Sequence, residues 1–452
     1  MLSKKDLAEK NNYLSQTLLS ATSVGLLTLA FSLAKTARDA LFFQDQGLFQ
    51  LPMAYMGIGM SSLPAAFLLV QAMKIWGARS ARVGIMIFAT TVLAAFVPFL
   101  KQGNYPVLMS IFIFIPTIFG LLFASTWLLA SDLFENAPKM VAARSFSRIG
   151  ASALAGGMVG GFISKGLAPY LDPEWLVLLA ALVILIVVGM VIKTHKKFPT
   201  NSVSKNKEKE DKKTSVSSVF SKKYPRLLLL ISMTGGLAGL FIEFQFYAAA
   251  SSLGNDLRGN TNFFANFYTM LYLSSLVVQL FAAPRIQDKL GLTGGLVILP
   301  LALLGGSTFV IVAATALSRS VLKVTEGGLK ASIHRSMWEQ AFIPLESGER
   351  SIGKIIVDGI APRIAEGIGA MMLFSWLMWV KATGGKIDAS SIFYNAGWMA
   401  WVVLLAVAAW LLLTRHLRQE LTQLHSFREG EIECTRFPDQ CPTTTEMGKG
   451  IT

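Results

Sequence analysis

Stretches of about 20 predominantly apolar residues recur along this chain from end to end, separated by short polar loops. A run of that length crosses the hydrocarbon core of a bilayer as one helix. Within lipid, every backbone N–H and C=O must be satisfied inside the structure, which leaves helices and closed barrels. No segment alternates at period two for long enough to make barrel strands. Composition agrees with a helical bundle. The 452 residues are 53% hydrophobic and only 15% charged, against about 25% charged in a soluble domain.

The runs predict about twelve spans. In the first half they lie near 14–38, 50–73, 83–101, 105–130, 145–168 and 174–193, and in the second near 225–250, 262–283, 293–316, 319–343, 352–380 and 391–414. The bases fall in alternate loops. Lys4, Lys5, Lys74, Arg79, Arg82, Lys139, Arg144, Arg285, Lys289, Arg350, Arg415 and Arg418 all belong to one side. The positive-inside rule makes that side cytoplasmic and places both termini there. The formal charge of +14 is explained by that asymmetry, so no nucleic-acid partner is expected. The opening MLSKKDLAEKNN has no apolar centre, so a cleaved leader is not expected. Cys434 and Cys441 make neither a disulfide framework nor a metal-ligand spacing, and neither metal nor cofactor is expected.

A polar, lysine-rich stretch divides the spans six and six, and the two sets look like repeats. KIWGARSARVG after the second span stands where RIQDKLGLTGG follows the eighth, and ARSFSRIGAS matches ERSIGKIIVD. The expected organisation is a first half at 1–195, a basic linker at 196–224, a second half at 225–415 and a tail at 416–452. The fold class is therefore an all-α polytopic membrane protein with two six-helix halves. It is similar to the major facilitator transporters, in which the substrate site lies between halves near mid-membrane.

Ionisable groups inside the apolar runs are costly and mark candidate sites. The first span carries Lys35, Arg38 and Asp39 within about one turn. Two readings stand: a cationic clamp for an anion, or side chains snorkelling from a helix end. Asp132 closes the fourth span as a partner for a base or as a helix-end group. Glu243 is a lone acid in a deep apolar helix, either an ion-pair partner or a substrate- or proton-coupling group. Span ten bears Lys323, Glu326, Lys330, His334, Arg335 and Glu339. The glycines of span five suit close helix packing, because no phosphate-loop lysine–serine pattern accompanies them.

The most specific stretch is FIPLESGERSIGKIIVD, with Pro344-Leu345-Glu346, then Gly353-Lys354 and Asp358. It resembles the bacterial and plastid ATP/ADP translocases. KTARDAL at Lys35, Arg38 and Asp39, together with Lys330, Ser332, Glu339, Glu243 and Asp132, is similar to other segments of that family. Where the translocases carry an acid-Pro-x-Lys pattern, this chain has Arg335, Ser336 and Trp338. The resemblance implies exchange of nucleotides by alternating access in a bacterial inner membrane, by a monomer whose partners are a small anionic substrate and the lipid bilayer.

The substrate-binding candidates are Lys35, Arg38, Glu243, Lys330, Lys354, Asp358 and Arg363. The gating or ion-pair candidates are Asp39, Asp132, Arg144, Glu339 and Arg350. Lys35 with Arg38, and Lys354 with Arg363, are expected to hold phosphates, while Glu243 and Asp358 hold those bases in the empty carrier. No hydrolytic or other catalytic constellation is present, so an enzyme is not expected. Two alternatives stay open: a proton-coupled carrier of another organic anion using Glu243, and a scaffold or receptor that binds partners through its linker or tail.

Overall fold

The computed structural model describes residues 4–45, 47–134, 137–198, 216–253, 256–342, 344–345, 349, 353–386 and 389–436. Arg350, Glu346, most of the basic linker and Cys441 lie outside the described residues. Among the described residues every regular element is helical.

The first set comprises α1 (Lys4–Asp45), α2 (Leu51–Leu100), α3 (Tyr105–Leu133), α4 (Lys139–Leu167) and α5 (Pro173–Lys197). The short α6 (Val216–Ser221) leads to α7 (Lys223–Ser251), α8 (Leu257–Val277), α9 (Ala283–Val312), α10 (Ala316–Leu329) and α11 (Arg335–Gln340). The chain ends in α12 (Ala361–Ala382), α13 (Ala389–Asn395) and α14 (Trp398–Arg436). Helix α2 turns back on itself at Gly77, where φ is 79°, and α9 does the same at Gly291, where φ is 62°. These two glycines occupy matching loops of the sequence repeat, and each joins two spans with almost no connecting chain.

Eleven helices among the described residues are long and apolar enough to cross a membrane. The expected tenth span is helical from Ala316 to Gln340, with wider π-type turns over Lys330–His334 joining α10 to α11. It carries too many charges to stand in lipid alone. It packs against α7, α8 and α9, which enclose Lys323 and Glu326 and leave Lys330 and Arg335 half exposed. The KTARDAL stretch is also not a helix end. Helix α1 runs on to Asp45, and Arg38 and Asp39 are buried, which removes the snorkelling reading. Helix α14 likewise continues through the expected boundary at 415 as far as Arg436.

Two apolar cores form. One joins α1, the second arm of α2, α3 and α5, with Phe119, Ile115 and Val187 fully enclosed. The other joins α7 to α10, α12 and α14, and extends over Phe42, Leu51 and Ile58 of α1 and α2. The glycines of α4 let α1 come close, as small residues do where lipid supplies no hydrophobic drive between helices. A Cβ on Gly156 would stand 2.0 Å from the backbone oxygen of Gly25, and neither backbone can move without separating the helices.

Gly156→Ala is expected to lower stability by about 1–3 kcal/mol through overpacking. Gly166→Ala on the same helix, where a Cβ meets open space, is the control. Thermal unfolding in detergent checks this: the first variant melts lower than the wild type, and the second does not.

Candidate functional site

The site grows from one turn of α1. Arg38 Nε donates to Asp39 Oδ1 at 2.7 Å, and its guanidinium lies 4.1 Å from the centre of the Phe112 ring. A buried carboxylate needs several donors, and Asp39 has them: Tyr247 donates at 2.9 Å, and Tyr268 makes a second, short hydrogen bond. Both tyrosines come from the second set of helices, on α7 and α8, so Asp39 ties the two sets together. Arg38 also donates to Tyr247 at 3.2 Å.

One turn earlier, Lys35 pairs with Glu243 of α7 at 3.4 Å, and its ammonium lies 4.8 Å from the Tyr268 ring centre. Tyr55 of α2 is buried beside this group, its ring edge-on to Phe112 at 6.4 Å between centres. The second oxygen of Glu243 is 3.8 Å from Lys323 of α10. From there charges alternate along α10 by helical spacing: Lys323 to Glu326 at 2.9 Å, and Glu326 to Lys330 at 3.1 Å. The result is a line of alternating sign, Lys35–Glu243–Lys323–Glu326–Lys330, across three helices. Glu243 is thus an ion-pair partner of two cations.

A second group lies where α11 meets the start of the next helical segment. Glu339 pairs with both Arg335 and Lys354. Asp358 accepts from Trp338 Nε1 at 2.6 Å and lies 3.8 Å from Arg335. Asp358 was expected to hold Lys354 and Arg363, and it holds neither. Lys354 belongs to Glu339, and Arg363 pairs with Glu366 one turn along its own helix at 2.7 Å. Nor do Lys354 and Arg363 share a carboxylate, since each has its own partner. Away from both groups, Asp132 pairs with Arg82 at 2.6 Å. Arg144 is exposed, and no ion pair forms at it among the described residues.

The track is mostly buried and emerges at one end: the Asp39 side chain is 0% exposed, Lys35 18%, Lys323 9% and Glu326 6%, whereas Lys330 is 53% exposed. The buried end is roofed by aromatic rings: Phe43 lies 4.5 Å from Tyr247, and Phe42 lies 4.3 Å from Phe112. Beyond the roof, Asn260 reaches Gln44 at 3.3 Å, and Arg258 stands 4.0 Å from Asp172. Among the described residues the track is buried toward the Asp172 end and half exposed toward α11.

Sequence reading singled out Lys35, Arg38, Asp39, Glu243, Lys330 and Glu339, all of which lie on these networks. It noted Lys323 and Glu326 on span ten without assigning them to the substrate-binding or gating set, and it left out Tyr55 and Tyr268. The signal for Lys323 and Glu326 was present, because with Lys330 they recur at i, i+3 and i+7 on one face. Tyr247 sits at i+4 from Glu243. Nothing local distinguishes Tyr268 from an ordinary interfacial tyrosine.

Residues 174–421, more than half of the chain, match the sequence profile of the family described as "TLC ATP/ADP transporter". The chain is 24% identical to "ADP,ATP carrier protein 1" of Chlamydia pneumoniae over 246 residues, 50% of this chain and 46% of that protein. It is 24% identical to "ADP,ATP carrier protein 2" of Chlamydia trachomatis over 182 residues, 36% of this chain and 32% of that one. The matches thus span about a third to a half of the relatives' length. Among solved structures, the nucleoside transporter NupG superposes with a TM-score of 0.60 at 10% identity, over 88% of this chain and 98% of that one. The POT family transporter PepTSo superposes with a TM-score of 0.60 at 11% identity, over 90% and 98%. At such identities these two neighbours show the fold, which is major facilitator-like. The chain belongs to the TLC ATP/ADP transporter family.

Proposed function

We propose that this protein exchanges nucleotides of the ATP/ADP type across a membrane, binding their phosphates on the Lys35–Lys323–Lys330 side of the charge track. The observation that carries this reading is the line Lys35–Glu243–Lys323–Glu326–Lys330, in which three cations are held by only two carboxylates. The line therefore has spare positive charge for an anion. An entering polyphosphate offers Lys35, Lys323 and Lys330 oxygens that replace those of Glu243 and Glu326. Breaking the Lys35–Glu243 pair removes one tie between the two helical sets. A further tie, Asp39 with Tyr247 and Tyr268, still holds the closed end together with the Gln44–Asn260 contact. Alternating access follows if bound substrate stabilises both end states by lowering the cost of the broken pair. Without an anion the pair re-forms and holds the carrier, which favours exchange over net flux.

On the same reading, residues 1–195 and 225–415 act as two rocking halves about a central site, with 196–224 as linker and 416–452 as tail. Lys354, Glu339 and Arg335 form the mouth, and Arg363 with Glu366 stands beside the pathway. The short basic loops support a cytoplasmic placement of both termini, in a bacterial inner membrane. The carrier works as a monomer with a small anionic substrate and needs no cofactor.

Three measurements test these statements. In proteoliposomes, labelled ATP uptake is expected to accelerate when ADP is enclosed and to ignore a pH gradient. Uptake into empty vesicles driven by the gradient would select proton coupling instead. Lys323→Met leaves Glu243 and Glu326 short of a cation, so both transport and stability should fall, the latter by about 3–5 kcal/mol. Adding Glu326→Gln is expected to recover part of the melting temperature but not the uptake. Lys354→Met, at a half-exposed pair, should change stability by less than about 1 kcal/mol while slowing uptake. Full-rate transport in that variant would remove Lys354 from the pathway.

A further inference from the structure

A groove of about 440 Å³ lies between α9 and α14, on residues that take no part in the charge track. Its floor is apolar, with Leu290, Val297 and Leu301 from α9 and Leu411 from α14. Leu290 is 55% exposed and Leu301 53%, so the groove opens on the outer surface that a bilayer covers. At one end stand Arg415 and Arg418, about one helical turn apart on the same face. Neither is paired with a carboxylate among the described residues. Glu420, the acid next along the helix, is taken by Lys223 at 2.5 Å. Beyond the turn at Gly291, the floor rises from Thr293 to Leu301 by 8 residues, about 12 Å of helix. That is most of one leaflet of a hydrocarbon core about 30 Å thick.

The last helix of the first set also carries bases at this level: on α5, an open hollow of about 460 Å³ is lined by Gly189, Ile192, Lys193, Lys196 and Lys197, all from that one helix. Both basic ends lie at one end of the bundle: Lys197 reaches Ser15 near the start of α1, and Glu420 reaches Lys223 at the start of α7.

We infer that the α9–α14 groove is a binding site for an anionic glycerophospholipid. Its phosphate is held by Arg415 and Arg418, and one acyl chain lies along Leu290, Val297, Leu301 and Leu411. Paired guanidinium groups match phosphate oxygens in geometry and charge. Basic pockets between membrane helices at one leaflet select anionic headgroups. A soluble phosphate ion would use the arginines and leave the apolar floor bare, and a neutral lipid would use the floor and leave the arginines uncompensated. Only an anionic lipid uses both.

The test uses the full-length protein in mixed micelles with photoactivatable phosphatidylglycerol or phosphatidylcholine, reading crosslinks on α9 and α14 peptides. Phosphatidylglycerol is expected to label these peptides preferentially. Arg415→Ala with Arg418→Ala should cut that labelling on the order of tenfold, leaving phosphatidylcholine labelling and the lipid-free melting temperature unchanged. Millimolar inorganic phosphate should not compete. Equal labelling by the two lipids, undiminished labelling in the double variant, or displacement by inorganic phosphate would each overturn the assignment. If the double variant does not fold, Leu301→Trp fills the floor with both arginines in place. It should abolish phosphatidylglycerol labelling, and retained labelling would equally overturn the site.

Discussion

A charge moved out of water into a helical bundle must meet its opposite or a full set of hydrogen bonds, and that requirement organises this molecule. Asp39 cannot be held by its own helix alone. Arg38 covers one oxygen, and the other takes hydroxyl groups from Tyr247 and Tyr268, on helices more than 200 residues away in sequence. Satisfying one buried carboxylate therefore fixes how α1 stands against α7 and α8. The same need repeats one turn away, where Lys35 finds Glu243.

These contacts cross between the two helical sets at one end of the track, reinforced there by Phe43, Tyr247 and Phe264. Toward α11 the charges pair within the second set and are half exposed. Close packing of α1 on α4 at Gly25 and Gly156 leaves those backbones no room to shift, whereas Lys35 and Glu243 join the two sets through a partly exposed ion pair at 3.4 Å. The proposed exchange draws on that division between stiff packing and a polar seam.

The departure from the translocase pattern at Arg335 and Trp338 has a structural use. Arg335 pairs with Glu339 and approaches Asp358, while the Trp338 ring nitrogen donates to Asp358 and its ring stacks on His334. These residues take up the acid that was expected to hold Lys354 and Arg363, and Lys354 turns to Glu339. Partner choice among several acids and bases within a few turns depends on rotamers and helix rotation, which spacing alone does not encode.

Much was legible beforehand because it follows from local rules. Apolar run length gave the helical bundle, and the cost of intramembrane charge picked out Lys35, Arg38, Asp39 and Glu243. The count of spans was less secure. Ala316–Gln340 has the length of a span but not its apolarity, and packing against α7, α8 and α9 encloses its Lys323 and Glu326. The reach of α1 beyond Asp39, the roles of Tyr55 and Tyr268, and the groove between α9 and α14 were likewise invisible. The amino-acid order by itself determined which segments are helices and which groups are too costly to leave unpaired, since both depend on neighbours within a few residues. The tertiary structure alone decided which distant group answers each of them, because that depends on where helices far apart in the chain come to lie.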